Sequence, residues 1–381
     1  MIAPPAKTWI ELSGEALRSN LRQASFAAHG AMIAPVVKAN AYGHGLQEVC
    51  RALDGQTFPF LCVDSVEEVA CIRAVFPQTP IVILGYVPRH QLATAVRYGA
   101  AFVVSKVDQL EGLRDLLMSR PAMIHIEIET GLHRQGADVA EQERLLEWLR
   151  AHPGRAVVEG LCTHLADAEN VTSDIFVKEQ VEVFREAVFR FAKEGIVPTY
   201  RHVACSAALW LHPGALFDVV RLGISLYGHW SSAELGQCLR DQGRDIPLQP
   251  VLSWKTLLAE IKQVPKGGTV GYGRTYAVDR PMRLGILPVG YADGFDRRLS
   301  GLGAVSIRGK RVPVVGRVCM NMCMVDLTGV PDASLEDEVV IFGGETLDGY
   351  TPEAWEQQDP TLFPYEVLAR LRGDIPRVLV S

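Results

Sequence analysis

Between Ala34 and Leu222, eight short apolar runs alternate with helix-patterned segments. The runs are Ala34–Val37, Phe60–Val63, Ile81–Leu84, Ala101–Val104, Met123–Ile128, Val157–Cys162, His202–Cys205 and Val219–Leu222. Between them the spacing predicts helices over Val66–Phe76, Lys106–Arg120, Val139–Ala151 and Phe176–Glu194. Ser65-x-x-Glu68 reads as a capping box. Repeated strand–helix alternation of this length predicts a (β/α)8 TIM barrel, taken to occupy residues 1–240. The pattern changes after Tyr227. Ser231–Pro250 is polar and reads as a linker. Residues 241–381 then read as a mostly β domain, with strands over Ser253–Val264, Met282–Pro288, Ala304–Ile307, Val312–Val315, Val318–Leu327 and Glu338–Phe342. Arg308-Gly309-Lys310 is a hairpin candidate, and Thr351-Pro352 a helix start. The strand Thr8–Leu12 is assignable to either half.

Composition narrows the partners. A net charge of −6 offers no electrostatic case for nucleic acid or an anionic membrane. No apolar span is long enough to cross a bilayer, and MIAPPAKTW lacks a signal-peptide core, so a cytoplasmic protein is expected. The eight cysteines are scattered. Cys319 and Cys323 have no second pair of ligands nearby, so no metal site is expected.

One stretch carries chemistry. Val37–Gly45, VKANAYGHG, places Lys38 at the end of an apolar run and opens a loop of small and polar residues. A lysine whose tip sits in a cleft loses hydration, which favours the neutral amine and permits a Schiff base. Glycines allow close backbone approach to a ligand, and the Tyr42 hydroxyl is a suitable phosphate donor. An isolated lysine before a glycine-rich turn is ordinarily an exposed residue, so the rest of the chain must decide. Arg221 ends the last expected barrel strand and must enter the barrel mouth or find a carboxylate. His164 closes the run Cys162-Thr163-His164.

VKANAYGHG closely resembles the pyridoxal-phosphate lysine motif of alanine racemases, the fold-type III enzymes of this cofactor. ETGLHRQG, VRLGISLYG, GYGRTY, LPVGYADGFDR, GRVCMNMCMVDLTG and PYEVL follow in family order, from about Trp9 to Arg377. The resemblance implies an isomerase that racemises alanine on pyridoxal 5'-phosphate, with Lys38 holding the cofactor. It implies that Tyr42, Ser206, Gly223, Ile224 and Tyr365 bind the phosphate, that Arg221 faces the pyridine nitrogen, and that Arg134 contacts the phenolate. A guanidinium only donates, so the ring nitrogen stays unprotonated and transamination is disfavoured. Lys38 serves one face of the substrate, and Tyr272, from the partner subunit of a homodimer, serves the other. A phenol ordinarily ionises near about 10, so such a base needs cationic help, and His164 is the residue that would contact it. Tyr291, Met320 and Asn321 fall where the substrate carboxylate and the entrance lie.

Three positions depart from the family pattern. Glu127 stands where many members have a lysine, often carbamylated, and is expected to pair directly with Arg134. Asn321 replaces an aspartate common in alanine-specific members, so a serine or broad-spectrum racemase is the alternative. Cys205 replaces an asparagine beside Ser206. Remoter readings are a fold-type III decarboxylase, which would require a catalytic cysteine, and a non-catalytic cofactor carrier.

Overall fold

The computed structural model describes residues 6–117, 120–343 and 351–380. By contact the chain divides into two units. Leu17–Ala41 and Val49–Gln249 make one, and the amino terminus through Ala16, Tyr42–Glu48 and the chain from Pro250 make the other. The first strand, β1 (Thr8–Ser13), belongs to the second unit, which answers where Thr8–Leu12 goes.

The first unit is the barrel. Its strands are β2 (Met32–Pro35), β3 (Leu61–Val63), β4 (Ile81–Ile83), β5 (Ala100–Val104), β6 (Ala122–Glu127), β7 (Ala156–Cys162), β8 (Tyr200–His202) and β9 (Val219–Leu222). β3 to β8 pair in parallel in sequence order, and β2 pairs in parallel with β9. A bridge between Val36 and Cys62 joins β2 to β3. The Arg221 N–H donates to the Ala204 carbonyl at 3.0 Å, joining β9 to the end of β8 and closing the circuit. Seven of the eight expected runs supply a strand, as apolar runs buried between a core and a helix layer do, whereas the eighth, His202–Cys205, is corrected: β8 is Tyr200–His202, a polar stretch that shares only His202 with it. β3, β4 and β5 are buried throughout.

Two expectations for this unit are corrected. The helix expected over Lys106–Arg120 spans only Val107–Glu111. Gly112 follows, where a Cβ would stand 2.5 Å from Leu92 Cδ1, so the chain passes close there and does not continue the helix. The polar stretch Ser231–Pro250 is no simple linker. Ala233–Asp241 is helical, capped by Ser232 Oγ accepting from the Leu235 N–H at 3.2 Å, and Leu235 and Leu239 are fully buried one turn apart. The chain returns to the amino-terminal helix at Asn20, whose side chain donates to the Leu226 and Gln249 carbonyls and accepts from the Gln249 N–H.

The second unit contains β10 (Leu252–Leu257), β11 (Glu260–Val264), β12 (Thr269–Val270), β13 (Tyr276–Ala277), β14 (Met282–Leu287), β15 (Ala304–Ile307), β16 (Lys310–Pro313), β17 (Cys323–Asp326), β18 (Glu338–Phe342) and β19 (Arg377–Val380). One sheet runs β16-β15-β18-β10-β1-β19, a second β11-β14-β17, and β12 pairs with β13. The run Ser253–Val264 therefore makes two strands. The Leu258 N–H bonds to Asp337 and the Ala259 N–H to Ile286, so the chain changes sheets between adjacent residues. The Val318–Leu327 run is a strand only over β17, and Val318–Met322 is a loop. The hairpin expected at Arg308-Gly309-Lys310 forms, its loop the two residues Arg308-Gly309, both at positive φ, with Lys310 already in β16. Trp254, Phe295, Phe342 and Trp355 pack as a fully buried aromatic cluster between these elements.

Candidate active site

Lys38 follows β2 at the carboxyl end of the barrel strands, the end where barrels carry their chemistry. The Val37 N–H donates to the Cys62 carbonyl at 2.8 Å and pins the residue before it. Beyond Lys38 the backbone turns left-handed. Ala39, Asn40 and Ala41 all have φ 54° and Tyr42 has φ 53°. For L-residues with a Cβ this conformation costs roughly 1–2 kcal/mol each, so something must hold it. The Ala41 N–H closes the turn on the Val37 carbonyl at 2.9 Å. The Glu68 carboxylate accepts from the Ala39 N–H through one oxygen and from the Asp64 N–H through the other, each at 2.7 Å. The capping-box expectation is thereby half corrected. Ser65 Oγ does accept from the Glu68 N–H, at 3.3 Å, but the Glu68 side chain reaches to the lysine turn instead of back to Ser65. The sequence marks Glu68 by its spacing and conceals its partner.

Arg221, on β9, is 7% exposed. Its NH1 donates to His202 Nδ1 at 2.7 Å and to the His202 carbonyl at 2.6 Å. Its NH2 donates to the Thr163 carbonyl at 2.8 Å, with His164 Nδ1 at 3.2 Å and the Val203 carbonyl at 3.3 Å sharing the second hydrogen. The four terminal hydrogens are thus occupied, and Nε–H is left without an acceptor among the described residues. His164 is buried. Desolvation, followed by the charges of Arg221, Arg134 and Lys38, lowers its pKa from 6.5 to about 3. His164 is therefore a neutral imidazole, and the cation beside it is Arg221, the arginine to which it was expected to be tied. Since Nδ1 accepts from Arg221, the ring proton sits on Nε2 and is available to donate.

Glu127 lies at the end of β6, also buried. Its expected ion pair with Arg134 is not formed. Glu127 Oε2 instead accepts from Gln135 Nε2 at 2.6 Å. Burial raises its carboxyl pKa, while Gln135, Arg221 and Arg134 pull it down, in that order. Arg134 is exposed in the following loop and reaches Glu127 only through its field. The amide one residue further on was the closer donor, and side-chain reach of that kind does not show in spacing.

Ser206 and the start of the 3-10 turn Ile224–Tyr227 lie side by side. Ser206 Oγ accepts from the Gly223 N–H at 3.0 Å and the Ser225 N–H at 3.3 Å, so Gly223 and Ile224 are drawn onto it. Cys205 precedes Ser206 and begins its helix. In the second unit the rings of Tyr42 and Tyr365 meet, with centroids 6.0 Å apart. Gly43 must be glycine: its φ is 80°, and a Cβ would overlap the Leu368 carbonyl.

The remaining candidates share one surface of the second unit. Tyr272 is 70% exposed in a tight turn whose Gly271 packs against Gly316 and Arg317. A few residues further along that segment, the Cys319 and Met320 carbonyls accept from the Tyr291 and Ala292 N–H groups at 3.0 and 2.9 Å. Tyr291, Met320 and Asn321 are exposed beside it, as is Met322.

The alanine racemase N-terminal domain model matches residues 12–230, and the C-terminal domain model residues 251–379. The chain belongs to the alanine racemase family. An alanine racemase of Leptospira interrogans is 34% identical over 377 residues, covering 98% of this chain and 96% of that one. Alanine racemase 2 of Caldanaerobacter subterraneus is 36% identical over 348 residues, covering 91% and 87%. Among solved structures, alanine racemase from D-cycloserine-producing Streptomyces lavendulae superposes with a TM-score of 0.90 at 32% identity, covering 99% and 98%. That of Streptomyces coelicolor gives 0.90 at 33%, covering 98% of both chains.

The protein is accordingly a fold-type III isomerase of the alanine racemase type, a family that binds pyridoxal phosphate. The residues present fit that group. Lys38 stands at a strand end close enough for its charge to act on His164 and Cys62. The free Nε–H of Arg221 suits an acceptor such as an unprotonated pyridine nitrogen.

Two measurements test this geometry. Removing the Glu68 carboxylate (Glu68→Ala) hands the exposed Ala39 and Asp64 amides to water and should destabilise the fold by about 0.5–1.5 kcal/mol. Hydrogen exchange in the peptide spanning Ala39–Tyr42 should accelerate, and unchanged exchange would remove Glu68 from this role. The neutral His164 sets a pH dependence. Below pH 6.5 the unfolded chain binds a proton that the folded chain refuses, so this contribution to stability is full above 6.5 and lost as pH falls toward about 3. Between pH 7 and about 5 the urea midpoint of His164→Asn should therefore fall less than that of the wild type. Parallel lines would contradict a neutral His164.

Proposed function

We propose that the protein interconverts L- and D-alanine with two bases, Lys38 of one subunit and Tyr272 of the partner subunit. The observation that carries this reading is the hydrogen-bonded pair of Arg221 and neutral His164. Pyridoxal phosphate, when bound, supplies the electron sink that acidifies the substrate Cα–H. Every other part falls to this chain. Arg221 holds its one free donor toward the ring without being able to release the proton. His164, its Nδ1 occupied by Arg221, offers Nε2–H to the Tyr272 phenol and relays the field of the guanidinium, which favours the phenolate. The Lys38 amine takes or returns a proton at one face of Cα, and the phenol does so at the other. Tyr42, Ser206, Gly223, Ile224 and Tyr365 donate to the phosphate. Arg134, Tyr291, Met320 and Asn321 hold the substrate and its carboxylate.

A homodimer with shared active sites accompanies this reading. Tyr272, Met320, Met322 and Tyr291 each leave large apolar or aromatic surface in water, and exposed side chains of that kind are what a partner subunit would cover. The decarboxylase reading loses ground at Cys323, whose thiol is fully buried and pushed up by desolvation, unlike a reactive thiolate. Asn321 keeps serine or broader racemisation as the second reading. It is exposed at the proposed carboxylate end and carries no charge to repel a polar side chain.

Chiral chromatography of an L-amino-acid panel after incubation with the cofactor-loaded protein tests the assignment. D-alanine should dominate, comparable D-serine would move the assignment to a broad-spectrum racemase, and no D-product would overturn it. Tyr272→Phe should lower kcat by about 10²–10⁴-fold in both directions while leaving the unfolding midpoint close to wild type. An active phenylalanine variant would exclude Tyr272 as the second base.

A further inference from the structure

The barrel interior below Arg221 holds two further histidines that the proposed reaction does not use. His202 on β8 and His125 on β6 are both fully buried, and His202 Nε2 lies 2.7 Å from His125 Nδ1. His125 Nε2 lies 3.1 Å from Glu159 Oε2, on β7, a side chain with 26% of its surface open to solvent. The four residues form one hydrogen-bonded column, Arg221–His202–His125–Glu159.

The protons in this column have one consistent arrangement. A guanidinium only donates, so His202 Nδ1 accepts from Arg221. Burial holds both imidazoles neutral, with the charge of Arg221 acting in the same direction on each. The proton of His202 must then lie on Nε2 and point at His125 Nδ1. That nitrogen accepts, so the proton of His125 lies on its own Nε2 and is donated to the carboxylate. Every bond in the line therefore points from the guanidinium toward Glu159.

The surrounding packing is cut to hold these rings. A Cβ on Gly160 would stand 2.3 Å from His125 Nδ1, so the position opposite His125 admits only glycine. Phe60 packs edge-on with His125 at 5.3 Å and tilted against His202 at 5.5 Å between centroids, and Tyr200 stacks on His125 at 6.4 Å. No carboxylate forms an ion pair with Arg221 among the described residues, and Glu159 supplies the negative end through two neutral rings.

We propose that Glu159 is a positioning residue for the active site, fixing through His125 and His202 the acceptor that holds Arg221. With no acceptor at position 159, the His125 proton can move to Nδ1. Two donors would then face each other across 2.7 Å, or His202 would have to turn its N–H toward Arg221, whose guanidinium has no lone pair to accept it. The guanidinium would turn, and its Nε–H would lose its aim. The kinetic part of this inference rests on the racemase reading; the tautomers belong to the chain alone.

The test compares Glu159→Leu, which removes the acceptor, with Glu159→Gln, which keeps one. Nitrogen NMR of histidine-labelled protein reads the tautomers without reference to activity. The wild type and the glutamine variant should show His125 and His202 as Nε2–H imidazoles, and the leucine variant should show at least one of the two as Nδ1–H. For racemisation, the leucine variant should lose about tenfold or more in kcat with little change in KM, and glutamine should restore most of it. A leucine variant with wild-type tautomers, or a glutamine variant impaired as badly as leucine, would overturn the proposal. If the leucine variant does not fold, the glutamine variant still decides: loss of its two Nε2–H signals overturns the inference. Wild-type protein that shows the tautomers but makes no D-product would refute the racemase reading alone.

Discussion

Arg221 cannot shed its proton, so burying it obliges the surrounding strands to provide acceptors. They do so from three directions: the end of β7 through the Thr163 carbonyl and His164, β8 through His202, and the segment after β8 through the Val203 carbonyl. Each contact satisfies a buried donor, and the two to imidazoles also fix a neighbour's proton, because a ring nitrogen that accepts a guanidinium hydrogen must be the unprotonated one. The state of His164 follows from that, and so does the state of His202. A single permanent charge thus sets the hydrogen-bond direction over much of the barrel interior.

The second constraint is conformational. Four consecutive left-handed residues after Lys38 are expensive to hold, and Glu68 anchors the start of the turn. A lysine mounted on a strained, anchored turn has little freedom to wander. A base that must accept and return a proton at one fixed atom benefits from that restriction. Tyr272 is mounted differently, exposed in a turn on the second unit, as a residue offered to another chain would be.

Much of this was legible in the sequence, for physical reasons. Barrel strands buried on both faces are continuous apolar runs, so seven of the eight could be read, while β8, the polar Tyr200–His202, was placed one strand-length too late. VKANAYGHG, GYGRTY and the run ending at Arg221 are contiguous, and contiguous motifs survive without coordinates. What escaped depends on where side chains end. Glu68 keeps its spacing to Ser65 yet turns toward Ala39, Glu127 chooses Gln135 over Arg134, and the helix after Ser232 hides two buried leucines in a polar stretch. The neutrality of His164 could not be read either, since it comes from burial and from charges on Arg221, Arg134 and Lys38. The His125–Glu159 contact joins residues from neighbouring strands whose sequence separation carries no signal.

The account turns on two bases acting from opposite faces of one carbon, and the fate of the α-proton tests that most directly. Racemising L-alanine in deuterium oxide and following both enantiomers by mass spectrometry would show where that proton goes. Two bases predict that D-alanine formed early carries deuterium at Cα, because the base that removes the proton is not the one that returns it. Early D-alanine retaining the substrate's own proton would mean that one base serves both faces, and the proposed division between Lys38 and Tyr272 would be wrong.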